Sequence, residues 1–282
     1  MHVKINTQNI MRQIVIMYLS GLPFSINVFP ACIFSYRQKK YKIEAIKMKK
    51  TIGILGGMGP EATSYFFDLI IKHTMAEKDQ DHIPVVIYSH PEVPPRTEAI
   101  LKSGPSPVPY LVEGVRCLLE AGADFVVIPC VTAHYFIPEV RKQIDFPFLD
   151  LIEETAKRAR SELPSLKKAG LIASTGTIRA GLFHIPFSAV RIEVISPSDE
   201  EQELVMEAIF GDVKAGILSG RSKETIARTA ESLIGKGAEA IIAGCTEVPL
   251  VLKDEDISVP LIEPLRILAR RSIEEAGYPL KG

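Results

Sequence analysis

Two of the four cysteines in this 282-residue chain share a setting. "GADFVVIPCVT" begins at Gly122 and "GAEAIIAGCTE" begins at Gly237. Each opens Gly-Ala-acid, runs through an apolar stretch and meets a cysteine. The same offset, 115 residues, separates Gly122 from Gly237 and Cys130 from Cys245. No CxxC occurs, so neither a structural zinc site nor a thioredoxin-type pair is indicated,. Four cysteines in so long a chain are not a disulfide framework. A free cysteine is most often a small buried hydrophobe, and that reading suits Cys117 in "VRCLLEAG" and Cys32 near the N-terminus. The matched pair, Cys130 and Cys245, invites chemistry. A thiolate on one side of a carbon can remove a proton while a thiol on the other side returns one. Inversion then needs no cofactor. The weakly acidic carbon demands donors aimed at the developing charge, and backbone amides with the hydroxyls of Thr132 and Thr246 can supply them. Each cysteine precedes a helix-favouring stretch, whose dipole would favour thiolate.

These thiols must be positioned by the elements around them. From Met48 onward, short apolar strands alternate with amphipathic helices. The pattern predicts strands at 51–55, 84–88, 125–128 and 146–151. It predicts helices at 60–75, 106–121, 134–143 and 153–162. Continuous apolar strands alternating with helices imply a parallel sheet covered on both faces. The pattern then restarts, "KKAGLIAST" at Lys167 echoing "KKTIGILGG" at Lys49. The expected fold is therefore α/β, with two pseudosymmetric domains at 48–150 and 151–263 and a C-terminal helix at 264–278 packing back on the first. A repeat of this length means two domains, not a solenoid. Ligands of open parallel sheets bind at the carboxyl ends of strands, which is where Cys130 and Cys245 fall. Two facing domains would bring both thiols to one inter-domain cleft.

Composition limits the alternatives. The apolar fraction of 46% permits a full core, and the net charge of −1 gives no footprint for nucleic acid or an anionic membrane,. No run of 18 apolar residues suggests a membrane span. The first 47 residues differ, with seven Lys/Arg against the single acid Glu44. They read as a disordered extension ahead of a natural start at Met48, or as a poor signal or transit segment. "GILGGMGPEA" satisfies GxGxxA between a strand and a helix, as a dinucleotide loop would. Glu61, however, puts a carboxylate where pyrophosphate would sit. The loop reads instead as lining the cleft with backbone amides, which suit a carboxylate as well as a phosphate.

Several stretches together, "IGILGGMGPEAT", "PCVTAHYF", "IEETAK", "STGTI", "EEQELVMEAI", "AGCTEVPLVL" and "VPLIEPLRILA", carry a resemblance. From Met48 to about Ala276 the chain resembles the aspartate/glutamate racemase family, and the aspartate racemases most closely. The resemblance implies a cofactor-independent, metal-free, cytoplasmic homodimer with its active site between two pseudosymmetric domains. It makes Cys130 and Cys245 the two catalytic bases, one for each enantiomer. It further implies that Met58, Gly59, Arg96, Val131, Thr132 and Thr246 border the substrate, Arg96 recognising a carboxylate. Glu247 and His134 match residues that can assist the thiols; His134 can equally hold its loop by hydrogen bonds.

Two departures touch the substrate rather than the reaction. Where the family reads PCNTAH, this chain has Val131, which offers no side-chain donor. Where aspartate racemases carry a lysine after "TGTI", this chain has Ile185, with Arg179 nearby. Loss of a polar partner costs roughly 1–3 kcal/mol per unpaired group. The expected activity is racemisation of an amino acid, aspartate or glutamate first. A related carboxylate isomerase or decarboxylase, a thiol redox switch, and a non-catalytic amino-acid-binding module are the alternatives.

Overall fold

Alternation along the strands decides the layers. The structure, a computed structural model, describes residues 49–282; the expectations for the N-terminal extension, Cys32 included, lie outside the described residues. Strand β1 (Ile52–Gly56) is wholly buried, with Ile52 and Ile54 on one face and Leu55 on the other. It pairs in parallel with β2 (Val85–Ser89) and β3 (Phe125–Val127), giving the order β2-β1-β3. In the second half β4 (Lys168–Ile172), β5 (Glu193–Ile195), β6 (Ala240–Ala243) and β7 (Leu261–Ile262) form an all-parallel sheet of order β5-β4-β6-β7. The first three strands of each half thus repeat one topology.

Connections run through helices α1 (Pro60–His73), α2 (Arg96–Ile100), α3 (Val108–Glu120), α4 (Ile137–Arg141) and α5 (Leu151–Glu162) in the first half. In the second half α6 (Thr175–Arg179), α7 (His184–Ala189), α8 (Asp199–Glu207), α9 (Arg221–Gly235), α10 (Val248–Val251) and α11 (Pro264–Glu275) follow. The inner faces of both sheets share one core. Ile52, Ile54, Phe125 and Val127 from one sheet and Ala169, Leu171, Ala240 and Ile242 from the other belong to it. Phe66 and Ile70 of α1, Ile152 and Ala156 of α5, and Leu268 and Ile273 of α11 fill the space between. The outer face of the first sheet packs on α3 through Leu55, Leu111, Val115 and Leu118. The outer face of the second packs on α9 through Ile241, Ile226, Ala230 and Leu233. Burial on both faces explains why these strands read as continuous apolar runs.

Two expected elements differ. The strand expected at 146–151 reduces to a single bridge, Phe148 to Val126. Pro147 can accept from Val126 N–H at 2.9 Å but has no N–H to extend the ladder,, and Leu151 already starts α5. The helix expected at 134–143 is split into a 3₁₀ segment, Val131–Phe136, and α4. Pro138 is tolerated only in a helix's first turn, so α4 begins there,. Among the described residues no helix is long and apolar enough to cross a membrane.

Candidate active site

Strands β3 and β6 hold equivalent places beside β1 and β4, and they deliver a cysteine three and two residues past their ends, respectively. Cys130 and Cys245 both line one cleft of about 620 Å³ between the carboxyl ends of the two sheets, within the roughly 300–1,000 Å³ common for small-molecule sites. Both are free thiols. The helices that follow them are short, six residues of 3₁₀ helix after Cys130 and the four-residue α10 after Cys245. The expected help from long helix dipoles is therefore not provided by this fold.

The glycine loop forms the near wall. Gly57 sits at φ +88°, and a Cβ there would meet His90 N at 2.3 Å. Thr63 ties the loop down, its hydroxyl accepting from Gly57 N–H and donating to Gly59 carbonyl, both at 2.9 Å. Met58 and Gly59 line the cleft as expected. Arg96 lines it too, but its guanidinium is partly committed. One terminal nitrogen donates to the carbonyls of Val93 and Pro94 at 3.1 Å, and the other donates to Met58 carbonyl at 3.0 Å. Its Nε–H is buried without a protein partner, so donor capacity remains for a carboxylate.

Each thiol has a different neighbour. Cys130 Sγ lies 3.6 Å from Thr132 Oγ1. Cys245 Sγ donates to Glu247 Oε2 at 2.9 Å, and Thr246 Oγ1 donates to the same oxygen at 3.0 Å. Glu247 is 3% exposed, and its other oxygen takes an ion pair from Lys214 Nζ at 2.9 Å. Burial opposes the Lys214 charge, but Glu247, Cys245 and Cys130 together leave the ammonium pKa above its ordinary value. Burial first, and Glu247 second, push the Cys245 thiol well above its ordinary value.

Val131 lines the cleft and is 3% exposed, joining the central core. His134 does not line the cleft. Its Nδ1–H donates to Cys130 carbonyl at 2.9 Å, and its Nε2 accepts from Leu151 N–H at 3.2 Å. Both ring nitrogens are used, so the imidazole clamps the loop carrying Cys130 to the start of α5. Burial, against the nearby Asp150 charge, holds its pKa below 6.5. In the unfolded chain the ring binds a proton more readily than in the folded one, so stability falls as pH drops below about 6.5. Urea titrations from pH 8 to pH 5 should show a shallower loss for His134→Gln than for the parent.

The second-half wall contains residues that sequence reasoning missed: Ser174, Thr177, Met206, Phe210 and Lys214. Ser174 and Thr177 are buried, their hydroxyls 3.2 Å apart. The expected replacement cation is corrected here. Ile185 is 71% exposed and lies off the cleft, and Arg179 is exposed and does not line it. The cation that lines the second-half wall is Lys214, carried on a π-helical segment (Ala208–Asp212) and the 3₁₀ turn Val213–Ala215.

A sequence profile described as Asp/Glu/Hydantoin racemase matches residues 55–271. The chain belongs to that family. This racemase is 28% identical over 232 residues to the broad specificity amino-acid racemase RacX of Bacillus subtilis, covering 79% of this chain and 96% of that one. Its structure resembles the Picrophilus torridus aspartate racemase with a TM-score of 0.74 and 31% identity, over 82% of this chain and 96% of that chain. It also resembles an aspartate racemase homologue from Pyrococcus horikoshii, with a TM-score of 0.66 and 27% identity, over 81% and 99%. The racemase therefore has relatives of both narrow and broad named specificity.

Proposed function

We propose that this amino acid racemase works by two-thiol proton transfer between Cys130 and Cys245, without a cofactor. The supporting observation is that two free thiols from equivalent strand ends line one cleft. The thiolate of one cysteine takes the α-proton and becomes S–H. The electron pair left on the α-carbon spreads into the substrate carboxylate. The thiol of the other cysteine gives its proton to the opposite face and becomes thiolate. Arg96 Nε–H is a donor for that carboxylate, where negative charge builds in the transition state,. Met58, Gly59, Thr132 and Val131 border the substrate, and Glu247 serves Cys245.

Aspartate and glutamate are the first substrates in this reading, supported by the names of the structural relatives. Arg96 and Lys214 both line the cleft; Lys214 is already paired with Glu247, and the Arg96 Nε–H is left for a substrate carboxylate. Incubating L-amino acids with the protein in D2O without added cofactor should give α-deuteration together with loss of optical purity. Aspartate and glutamate should lead the panel. Absence of exchange with every amino acid would move the assignment to a carboxylate isomerase or to a binding module.

A further inference from the structure

The two halves of the fold repeat, but the charges around the two sulfurs do not. Cys245 Sγ lies 2.9 Å from a carboxylate oxygen that has no solvent-facing alternative, since Glu247 is buried and pinned by Lys214 and Thr246. Among the described residues the side-chain contact of Cys130 Sγ is a hydroxyl, Thr132 Oγ1 at 3.6 Å. A hydroxyl can turn to donate to a thiolate, whereas an ionised carboxylate can only accept. The positive charge is shared, because the Lys214 ammonium interacts with both thiols. The negative charge is not shared. A second anion beside the buried Glu247 carboxylate would meet like-charge repulsion,.

We infer that Glu247 makes the resting protein asymmetric, keeping the proton on Cys245 as the waiting acid and leaving the single thiolate on Cys130 as the waiting base. This rests on the two-thiol reading and adds to it a direction. The enantiomer whose α-hydrogen faces Cys130 meets the more abundant of the two forms that carry one thiolate. The mirror enantiomer needs the rarer form, with Cys245 as thiolate. Its apparent KM is raised by that scarcity. The equilibrium constant of a racemisation is one, so kcat/KM is equal in the two directions. The direction with the higher KM must therefore have the higher kcat, by the same factor. Glu247 is in this sense a positioning and charge-setting residue that acts through Cys245.

Short exposure of the whole protein to iodoacetamide, with the modified cysteines mapped by mass spectrometry, tests the inference without substrate. Thiolate is the reactive form. Cys130 is 4% exposed and Cys245 is more open to the cleft, so access alone favours Cys245. The expected result is the reverse order, Cys130 first. In Glu247→Gln, which keeps the shape and removes the charge, labelling of Cys245 relative to Cys130 should rise about tenfold, the equivalent of one pKa unit. The same variant should draw the ratio of forward to reverse kcat toward one while kcat/KM stays equal in both directions. A merely structural glutamate would lower both kcat values together. Cys245 labelling first in the parent protein would overturn the inference, as would a Glu247→Gln variant with an unchanged labelling order and kcat ratio. Failure of the two-thiol reading itself would show differently, as racemisation surviving in a cysteine-to-alanine variant.

Discussion

Cys130→Ala and Cys245→Ala should each abolish racemisation while leaving one-sided proton exchange. Removing a positioned acid or base costs about 10²–10⁴-fold in rate, and inversion needs both groups in one turnover. The remaining thiol can still take the α-proton from the face it meets and return solvent deuterium to that same face. Cys245→Ala should therefore deuterate one enantiomer with retention, and Cys130→Ala should deuterate the other. Chirality-resolved mass measurement in D2O separates the two outcomes. If both variants exchange the same enantiomer, the thiols do not occupy opposite faces of the substrate. If either variant still inverts, its cysteine is not one of the bases. The two losses should not add, because residues that act as a unit are individually indispensable. Both side chains are small, and the two variants should melt close to the parent protein.

Gly57→Ala is expected to have the largest effect of any single-methyl addition near the site. The backbone at φ +88° disfavours a Cβ, at a cost of about 1–3 kcal/mol. The methyl would also fall 2.3 Å from His90 N and 2.5 Å from its carbonyl carbon. Those are backbone atoms, so no side chain can step aside. The loop would shift, taking with it the Met58 carbonyl that anchors Arg96. Gly122 is the control, with φ +91° and nothing within 4 Å of its would-be Cβ. Gly122→Ala should cost only the conformational penalty. Paired urea melts and kcat/KM values should show Gly57→Ala losing both stability and activity, and Gly122→Ala losing a little stability alone. Equal effects in the two variants would remove the close approach to His90 as the cause.

The parallel α/β architecture was legible because strands buried on both faces need apolar residues, and β1, β3 and β6 have them throughout, β4 from Ala169 onward. Both thiols were legible because the Gly-Ala-acid lead repeats and the strand ends carry function. The clamping role of His134 became clear only through its partner, Leu151 N–H, seventeen residues away. Lys214 was missed for a physical reason. It stands on no regular element, arriving on a π-helical segment and a 3₁₀ turn that end at the left-handed Gly216, and such segments carry no periodic signal. A hint was present. The 115-residue offset carries Arg96 to Gly211, one turn before Lys214. The two cations are thus near-equivalent in the two halves, although their partners differ: backbone carbonyls for one and Glu247 for the other.

The placement of α11 sets an order on the birth of the molecule. This last helix fills the shared core against α1 and α5, over Phe66 and Ile70. The segment after α11 also pairs with both ends of the first βα unit, through Lys50 N–H to Ala276 carbonyl at 3.0 Å before β1 and Met75 N–H to Pro279 carbonyl at 3.0 Å after α1. A ribosome delivers α1 some two hundred residues before it delivers α11. During that time the part of α1 that packs on α11 has no cover. Domains generally fold as they emerge, N-terminal part first, but here the first half must wait for α11 to complete its core. A stop codon placed ahead of Pro264 would not simply trim a surface helix. It would leave the oldest part of the nascent protein permanently uncovered, a substrate for chaperones and proteases.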